Sequence, residues 1–237
     1  MRERAEKWTC PICGGDGFVL DDQGDAVACE CRQTRIRRAR AQGVSSVVPR
    51  KYRGVSFERA PISGLSVDVV RPVQVFVRNI AKNISEGHGL WFEGDVGTGK
   101  TALAMLVSQA ALKEGLSVAI YSVPHLLAKI RDTYDSANPD RSYVRFFRQL
   151  TNVDLLHLDD MGAQKQTDWV LEQLYSLVNE RYENERSIMI TTNLALAGLE
   201  EQIGKRTVSR LIEMTDQIPI YGGDLRGGFD SKRSAVG

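Results

Sequence analysis

The stretch GDVGTGKT occupies residues 94–101 and matches the pattern G-x-x-x-x-G-K-S/T at every fixed position. The apolar run LWFEG (90–94) precedes it, and the run TALAMLVSQAALKEG (101–115) that follows has the composition of a good helix. A strand, a glycine-rich loop and a helix in this order form a phosphate-binding loop. The alternative, a glycine-rich turn that contains a lysine by chance, would not require this context.

Each residue type in this loop has a chemical reason. Backbone N–H groups from Val96 to Lys100 can surround a β-phosphate at the start of a helix, where free donors and the helix dipole favour an anion. We expect the Lys100 ammonium to reach the β- and γ-phosphates and the Thr101 hydroxyl to bind Mg²⁺. The predicted nucleotide-binding residues of the loop are Gly94, Asp95, Val96, Gly97, Thr98, Gly99, Lys100 and Thr101.

After residue 66, apolar strands alternate with amphipathic helices, which predicts an α/β domain with a parallel sheet covered on both faces. The predicted strands are 89–95, 117–123, 153–160, 186–193 and 217–221. The predicted helices are 72–85, 101–115, 124–135, 141–151, 168–184, 195–203 and 205–214. Pro72 is expected in the first turn of its helix, where proline is tolerated. We predict no substantial C-terminal lid domain, because no helical pattern follows Tyr221.

Two carboxylates, Asp159 and Asp160, end the apolar strand LLHLDD, at the edge where parallel sheets bind their ligands. We expect Asp159 to hold the Mg²⁺ shell and Asp160 to orient or deprotonate the attacking water. Because Asp160 is one methylene shorter than a glutamate would be at this position, turnover is expected to be slow. The alternative is that these are helix-capping or solvated acids.

The strand IMITTN becomes polar at its carboxyl end, where Asn193 can hydrogen-bond the attacking water or the γ-phosphate, or instead begin a turn. Farther along, Arg206 and Arg210 are one helical turn apart and share a face. An arginine that reaches a neighbouring subunit's γ-phosphate would stabilise transition-state charge, so that ATP would both assemble and activate an oligomer. Ordinary surface salt bridges are the alternative.

All four cysteines lie in one segment, CPICGGDGFVLDDQGDAVACEC, from residue 10 to residue 31. Four thiolates complete a tetrahedral structural Zn²⁺ site with no open position. We therefore predict that Cys10, Cys13, Cys29 and Cys31 bind zinc and have no catalytic role. An Fe–S cluster, a redox pair or unligated thiols are the alternatives.

The composition restricts the remaining possibilities. With 31 basic and 30 acidic side chains, the chain has no global field for a polyanion, so any nucleic-acid contact must be local. No apolar run approaches the roughly eighteen residues of a membrane span, and the charged N-terminus is unlike a signal peptide, which predicts a cytoplasmic protein without membrane contact. We predict a zinc-binding module with a basic helix (1–45), a linker (46–65) and an ATPase domain (66–237).

The order of these motifs resembles that of the P-loop AAA+ (ASCE) ATPases, in particular the clade of DnaC-type helicase loaders and IstB-type transposition ATPases, over residues 47–226. GDVGTGKT looks like the Walker A motif, LLHLDDMG like Walker B, ITTN like sensor 1 and RTVSRL like the arginine-finger helix. The resemblance implies that Arg210 is the finger and Arg206 the accompanying basic residue. It also implies that Arg226 in GGDLRGG is a sensor 2 analogue.

Members of this clade bind single-stranded DNA, which implies contacts near Ser122 to Lys129 and on the helix RSYVRFFRQL. This helix interleaves charges for phosphates with rings for stacking. Its arginines and rings are Arg141, Arg145, Arg148, Tyr143, Phe146 and Phe147. The alternative is an amphipathic helix with both phenylalanines buried.

Many DnaC-like proteins carry a similar cysteine-containing head, whereas IstB-type ATPases usually have a helical N-terminal region. The resemblance therefore implies an ATP-dependent loader of a DnaB-type replicative helicase that grips the helicase through the N-terminal module and self-associates through its ATP sites. One alternative is a transposition helper ATPase that binds a transposase and assembles on duplex DNA. The other is an adaptor that binds nucleotide without significant hydrolysis.

Overall fold

Five parallel strands form the central sheet of the computed structural model, which describes residues 10–14, 16–32, 47–134 and 142–225. The described residues form seven strands, of which the last five make up this sheet: β1 (Phe18–Leu20), β2 (Ala26–Ala28), β3 (Gly89–Glu93), β4 (Val118–Ser122), β5 (Leu155–Asp159), β6 (Ser187–Thr192) and β7 (Thr215–Pro219). The order in the sheet is β4-β5-β6-β3-β7, while β1 and β2 form a separate antiparallel hairpin. The predicted α/β class is confirmed.

Helices cover both faces of this sheet. They are α1 (Val67–Arg78), α2 (Ile80–Ser85), α3 (Lys100–Lys113), α4 (Val123–Tyr134), α5 (Tyr143–Asn152), α6 (Asp168–Glu183), α7 (Leu196–Ile203) and α8 (Lys205–Met214). None of the helices in the described part of the chain is long and apolar enough to cross a membrane. From residue 89 onward, each observed element lies within about two residues of its predicted bounds.

The single helix predicted over residues 72–85 is wrong, because two helices occupy this region and the first begins at Val67. Asn79 interrupts them with φ −111°, outside the helical range, and its side chain donates to the carbonyl oxygen of Val75. Pro72 is accordingly the sixth residue of α1 and not part of a first turn. Asparagine readily bonds nearby backbone groups, which explains the break.

Side chains alternate between the two faces of the sheet and supply two apolar cores. Trp91 of β3 packs with the helices α4 to α8, whereas its neighbours Leu90 and Phe92 pack with α1 to α3. The segment 47–65 belongs to the second core, since Ile62 is completely buried there. Gln109 of α3 also donates to the carbonyl oxygen of Tyr52 in this segment, at 2.6 Å. The predicted linker therefore packs on the domain that follows it.

A wholly buried arginine ties the start of two strands to the end of a helix. Arg181 of α6 donates through Nη1 and Nη2 to five backbone carbonyl oxygens. They belong to Leu150, Thr151, Val153, Asp154 and Ser187. Burial lowers the pKa of Arg181 to about 9, so the guanidinium remains charged at neutral pH. One side chain thus satisfies carbonyl groups at the end of α5 and the starts of β5 and β6.

We predict that Arg181→Met lowers the free energy of unfolding by about 3 kcal/mol or more. Methionine keeps the length of the side chain but leaves the buried carbonyls without donors, at about 1–3 kcal/mol for each unsatisfied group. Urea unfolding followed by circular dichroism measures the change. Arg148→Met on the exposed face of α5 is the matched control and should change stability by less than about 0.5 kcal/mol. Equal effects of the two substitutions would contradict the role of Arg181.

Candidate nucleotide-binding site

The strand order brings the predicted motifs to one edge of the sheet. Strand β6 lies between β3, which precedes the phosphate loop, and β5, which ends in the paired aspartates. Because all strands are parallel, their carboxyl ends meet at the same edge. Asp159 therefore lies beside the polar end of β6 and opposite the first turn of α3.

The phosphate loop, residues 94–99, has a backbone that favours glycine at its key positions. Gly97 has φ 86° and Gly94 has φ 142°, values that other residues rarely adopt. A Cβ on Gly94 would also collide with the carbonyl oxygen of Ile220. Lys100 is 5% exposed, and its ammonium donates to the carbonyl oxygens of Gly94 and Asp95 at 2.9 and 2.6 Å. The lysine charge is thus held over the loop at the start of α3.

Three motifs meet at one carboxylate oxygen. Thr101 of α3 donates to Oδ1 of Asp159 at 3.0 Å, and Thr191 of β6 donates to the same atom at 2.7 Å. Burial raises the pKa of Asp159, while the two hydroxyl donors and nearby Lys100 oppose this rise. The hydroxyl of Thr101 and the carboxylate of Asp159 are oxygen donors of the kind that Mg²⁺ prefers, and they lie next to each other beside the phosphate loop. Thr191 is the member of this group that the sequence pattern did not single out.

Asp160 and Asn193 line the same cavity as the phosphate loop. Asp160 has φ 56°, an uncommon left-handed conformation for a residue other than glycine, and its N–H donates to Oγ1 of Thr191 at 2.9 Å. This turn directs the chain away from β5 directly after Asp159. Five predicted residues, Lys100, Thr101, Asp159, Asp160 and Asn193, therefore lie together at the sheet edge.

The cavity, of about 500 Å³, has a second wall to which the sequence pattern assigned no role. This wall comes from the segment 51–61 and from the C-terminal end of the described chain. Its residues are Lys51, Tyr52, Gly54, Val55, Arg59, Ala60, Pro61 and Leu225. The N–H of Leu225 donates to the carbonyl oxygen of Gly97, at 3.0 Å. The polar and aromatic residues of KYRGVSFERAP are a sequence signal for this wall, but their local pattern does not show which of them would face the phosphate loop. The predicted site residue Arg226 follows Leu225 and lies outside the described residues.

The predicted arginines Arg206 and Arg210 do not line this cavity. Arg206 is exposed, and its carbonyl oxygen accepts a hydrogen bond from Nη1 of Arg210 at 3.2 Å. The Arg210 guanidinium lies over the rings of Tyr175 and Tyr182, at 5.1 and 5.5 Å from their centroids. Two aromatic rings of α6 thus contact this arginine on its own chain.

A buried histidine lies directly behind Asp159. The ring of His157 in β5 is wholly buried, and Nδ1 is 2.9 Å from Oγ of Ser108 in α3. Its Nε2 is 3.9 Å from Oδ1 of Asp159, close enough for an ion pair if the ring were protonated. Burial lowers the pKa of His157 to about 3, so the ring is neutral at physiological pH. The sequence pattern gave this residue no role.

The four cysteines converge around the β1–β2 hairpin. All four sulfur atoms lie within 4.8 Å of one another, with Cys10 and Cys29 3.8 Å apart and Cys13 and Cys31 3.3 Å apart. These separations exceed the length of a disulfide, about 2 Å, and approach the spacing of about 3.8 Å between ligands of a tetrahedral zinc ion with 2.3 Å bonds. The N–H of Gly17 donates to the sulfur of Cys13, and N–H groups from Cys13 and Ile12 lower the pKa of Cys10. The donor set fits zinc.

The helix proposed to contact DNA presents fewer rings than expected. Phe146 of α5 is buried, at 4% exposure, and Phe147 packs against the same core, so neither is an open stacking surface. Arg141 lies outside the described residues. Another group of side chains lies near the start of α5, and we call it the aromatic cluster; Tyr134 in it is exposed, whereas Tyr143 and Trp169 are half-buried. It consists of Arg131, Tyr134, Tyr143 and Trp169, with Tyr134 stacked on Tyr143 at 4.9 Å and Arg131 over Trp169 at 4.8 Å.

A family model described as IstB-like ATP binding protein matches residues 77–226, more than half of the 237-residue chain. The chain belongs to this family. The matched region includes the phosphate loop, the paired aspartates and the polar strand β6, so ATP is the nucleotide that suits the site. The cysteine hairpin lies outside the match.

Similar proteins include members named as helicase loaders. The chain is 32% identical over 120 residues to uncharacterized protein YdaV from Escherichia coli K12, covering 51% of this chain and 47% of YdaV. It is 28% identical over 182 residues to the replicative helicase loader DnaC of Buchnera aphidicola (subsp. Baizongia pistaciae), covering 74% of this chain and 72% of DnaC. The chain thus spans about half the length of the first relative.

A crystal structure of the DnaC helicase loader has a similar fold. It superposes with a TM-score of 0.64 at 28% identity, over 73% of this chain and all of the DnaC chain. The predicted AAA+ fold is therefore confirmed.

We predict that Asp159→Asn stabilises the nucleotide-free protein at neutral pH. Since the pKa of Asp159 is raised on folding, its ionisation destabilises the fold, and this cost is present above the raised pKa and absent below about pH 4. Asparagine keeps an oxygen acceptor for both threonines. We expect the melting temperature at pH 7.5 to rise by about 2–4 °C, corresponding to about 1 kcal/mol. The gain should disappear as the pH falls toward 4.

Differential scanning calorimetry across this pH range measures the effect. Asp216→Asn on the edge strand β7 is the matched control, because Asp216 is exposed, and should change stability by less than about 0.5 kcal/mol. A lower melting temperature for Asp159→Asn at pH 7.5 would contradict the prediction.

Proposed function

We propose that this chain is an ATP-dependent loader of a DnaB-type replicative helicase onto single-stranded DNA, and that it acts in the cytoplasm. The observation that carries the proposal is the hydrogen-bonded group of Thr101, Asp159 and Thr191 beside the phosphate loop, in a chain similar to DnaC over three quarters of its length. The first feature supports nucleotide-dependent chemistry. The second supports the choice of partner.

We assign the hydrolytic roles to the residues at the sheet edge. Lys100 would neutralise the β- and γ-phosphates, and Thr101 and Asp159 would hold Mg²⁺. A bound magnesium ion supplies positive charge to the phosphate oxygens in the transition state. Asp160 would orient or deprotonate the attacking water, and Asn193 would hydrogen-bond this water or the γ-phosphate. The shared cavity supports this assignment, and the short Asp160 side chain supports slow hydrolysis.

We further propose that ATP sites form between subunits, with Arg210 as the arginine finger and Arg206 beside it. Support comes from the absence of both side chains from the lining of their own chain's cavity, among the residues that the structure describes. The rings of Tyr175 and Tyr182 would hold the Arg210 guanidinium ready for a neighbouring γ-phosphate. Arg226 stays a predicted sensor 2 analogue, and the contact of Leu225 with Gly97 supports this prediction.

For single-stranded DNA, we propose contacts with the segment from Ser122, at the end of β4, to Lys129 in α4, and with the aromatic cluster. Tyr134 is 51% exposed and stacks with Tyr143, which gives bases a flat apolar partner. Arg131 adds charge for the phosphates from the same surface. Arg145 and Arg148 are exposed on the adjacent helix α5, so they extend this basic surface.

We propose that residues 1–45 form a zinc-binding module that grips the helicase, that 46–65 link it to the ATPase, and that 66–237 form the ATPase domain. The convergence of four sulfur atoms supports the zinc site. Zinc would supply folding energy to a hairpin whose strands have only three residues each. The outward residues Ile12 and Leu20, at 67% and 73% exposure, give this module apolar contacts for a partner.

The family match favours one other candidate, a transposition helper ATPase. Such a protein would bind a transposase and assemble on duplex DNA, so binding to a helicase distinguishes the two. An adaptor without significant hydrolysis would use the same ATP site. Release of phosphate by the wild-type protein would distinguish an ATPase from such an adaptor.

We predict that the chain co-elutes with the DnaB-type helicase of the same genome when ATP and Mg²⁺ are present. Analytical size exclusion with light scattering measures the complex. A Cys29→Ser/Cys31→Ser variant should lose the complex because its head cannot bind zinc, whereas it should still bind ATP. A wild-type protein that binds ATP but not the helicase under these conditions would overturn the loader assignment.

We also predict about one zinc ion per chain by elemental analysis of protein purified without chelators. Removal of zinc should unfold the hairpin while ATP binding stays within about twofold, because a site this small draws most of its folding energy from the metal. Proteolysis of residues 10–32 and binding of a fluorescent ATP analogue measure the two effects. Lys100→Ala is the converse control, since it should lose ATP affinity and keep zinc. Metal-free protein with a protease-resistant hairpin would contradict the prediction.

A further inference from the structure

The imidazole of His157 interrupts an otherwise apolar strand. Side chains two residues apart in a strand share a face, so His157 and Asp159 both point toward α3. Neighbouring positions on this face and the wall of α3 are packed with apolar side chains such as Leu155 and Met105. A buried polar ring is costly here unless its nitrogen atoms are used. Leucine would fill such a position without this cost.

Two contacts connect the same strand and the same helix. Thr101 and Ser108 are two turns apart on α3 and therefore lie on one side of the helix. Thr101 contacts Asp159 at 3.0 Å, and Ser108 contacts His157 at 2.9 Å. The second contact is wholly buried and lies one pleat below the first. It therefore fixes the register between the phosphate-loop helix and the strand that carries the aspartate.

The other ring nitrogen faces the carboxylate. Nε2 of His157 is 3.9 Å from Oδ1 of Asp159 and has no hydrogen-bond partner among the described residues. If Ser108 donates its hydroxyl proton to Nδ1, the ring proton is on Nε2 and faces negative charge. The opposite tautomer would turn a lone pair toward the carboxylate, which is unfavourable. Electrostatics therefore selects the tautomer with Nε2–H toward Asp159.

We propose that His157, oriented by Ser108, is a positioning residue for Asp159. Thr101 and Thr191 hold Oδ1 through hydrogen bonds, and the Nε2–H dipole of His157 attracts the same oxygen across 3.9 Å, which favours the orientation with Oδ1 on the inner side of the carboxylate. In the described part of the chain, Oδ2 of Asp159 accepts no hydrogen bond and is left for the magnesium shell. The inference deepens the proposed ATPase function and rests on it. Partners behind a metal ligand commonly change metal affinity or activity by about 10–100-fold when removed.

The test compares His157→Phe, which keeps a ring and loses Nε2–H, with His157→Gln, whose amide nitrogen can replace Nε2. We expect His157→Phe to lower kcat for phosphate release and to raise the Mg²⁺ concentration for half-maximal rate by about 10-fold or more. The KM for ATP should stay within about twofold. His157→Gln should recover most of both parameters. Ser108→Ala should change them in the same direction by a smaller factor, and it guards against failure of His157→Phe to fold.

A packing control distinguishes the positioning of Asp159 from a general loss of stability in the core. Met189→Leu alters the same core without a polar group, so it should change the melting temperature without changing the Mg²⁺ dependence. Equal losses in His157→Phe and His157→Gln would overturn the inference, because they would show that only the ring shape matters. Wild-type Mg²⁺ dependence in both His157→Phe and Ser108→Ala would also overturn it.

The proposed hydrolysis is checked separately by wild-type phosphate release that Asp159→Asn abolishes. If the wild type releases no phosphate, the hydrolytic function fails, and the inference is then decided by nucleotide binding. In that case the affinity for a fluorescent ATP analogue is measured with Mg²⁺ and with EDTA. His157→Phe should reduce the Mg²⁺-dependent gain in affinity by about 10-fold, and His157→Gln should retain it. An unchanged gain in His157→Phe would overturn the inference.

Discussion

One carboxylate oxygen, Oδ1 of Asp159, connects the three segments that make up the candidate site. It accepts hydrogen bonds from Thr101 at the start of α3 and from Thr191 in β6, while its own residue ends β5. Strand β6 lies between β3 and β5, so the strand order brings the three segments together. The desolvation of Asp159 is the cost of this arrangement, and the two hydroxyl donors offset part of that cost.

The sequence alone predicts most of the sheet and the residues at its edge, because both depend on local patterns. Apolar strands of five or six residues and the fixed pattern GDVGTGKT carry their own signals. The second wall of the cavity has no such local signal, since Tyr52, Arg59 and Leu225 come together only in the folded chain. The break at Asn79 was missed because a side-chain hydrogen bond, and not the apolar period, sets it.

The predicted stacking surface on α5 differs from the structure because the sequence pattern of an amphipathic helix has two readings. The spacing of the α5 rings fits a stacking surface and fits a core face equally well. The burial of Phe146 shows that this ring belongs to a core face. The rings of the aromatic cluster come from three helices, α4, α5 and α6, whose proximity no local pattern encodes. Similarly, the spacing of Arg206 and Arg210 predicts a shared face, but the rings of Tyr175 and Tyr182 that orient Arg210 belong to α6.

Buried polar groups recur at the two ends of the sheet, and they serve different purposes there. At the amino ends of β5 and β6, Arg181 donates to backbone carbonyl oxygens, so its contribution is to stability. At the carboxyl ends, Asp159 and His157 face each other across 3.9 Å, and Oδ2 of Asp159 accepts no hydrogen bond from the residues that the structure describes. A purely apolar strand would be more stable at this second end, because neither group would need compensation. Their presence in a strand otherwise built of leucine is therefore costly. Under the proposed function, this cost lies where charge would meet a metal ion and phosphates, and a site whose charges are already desolvated and oriented needs little reorganisation.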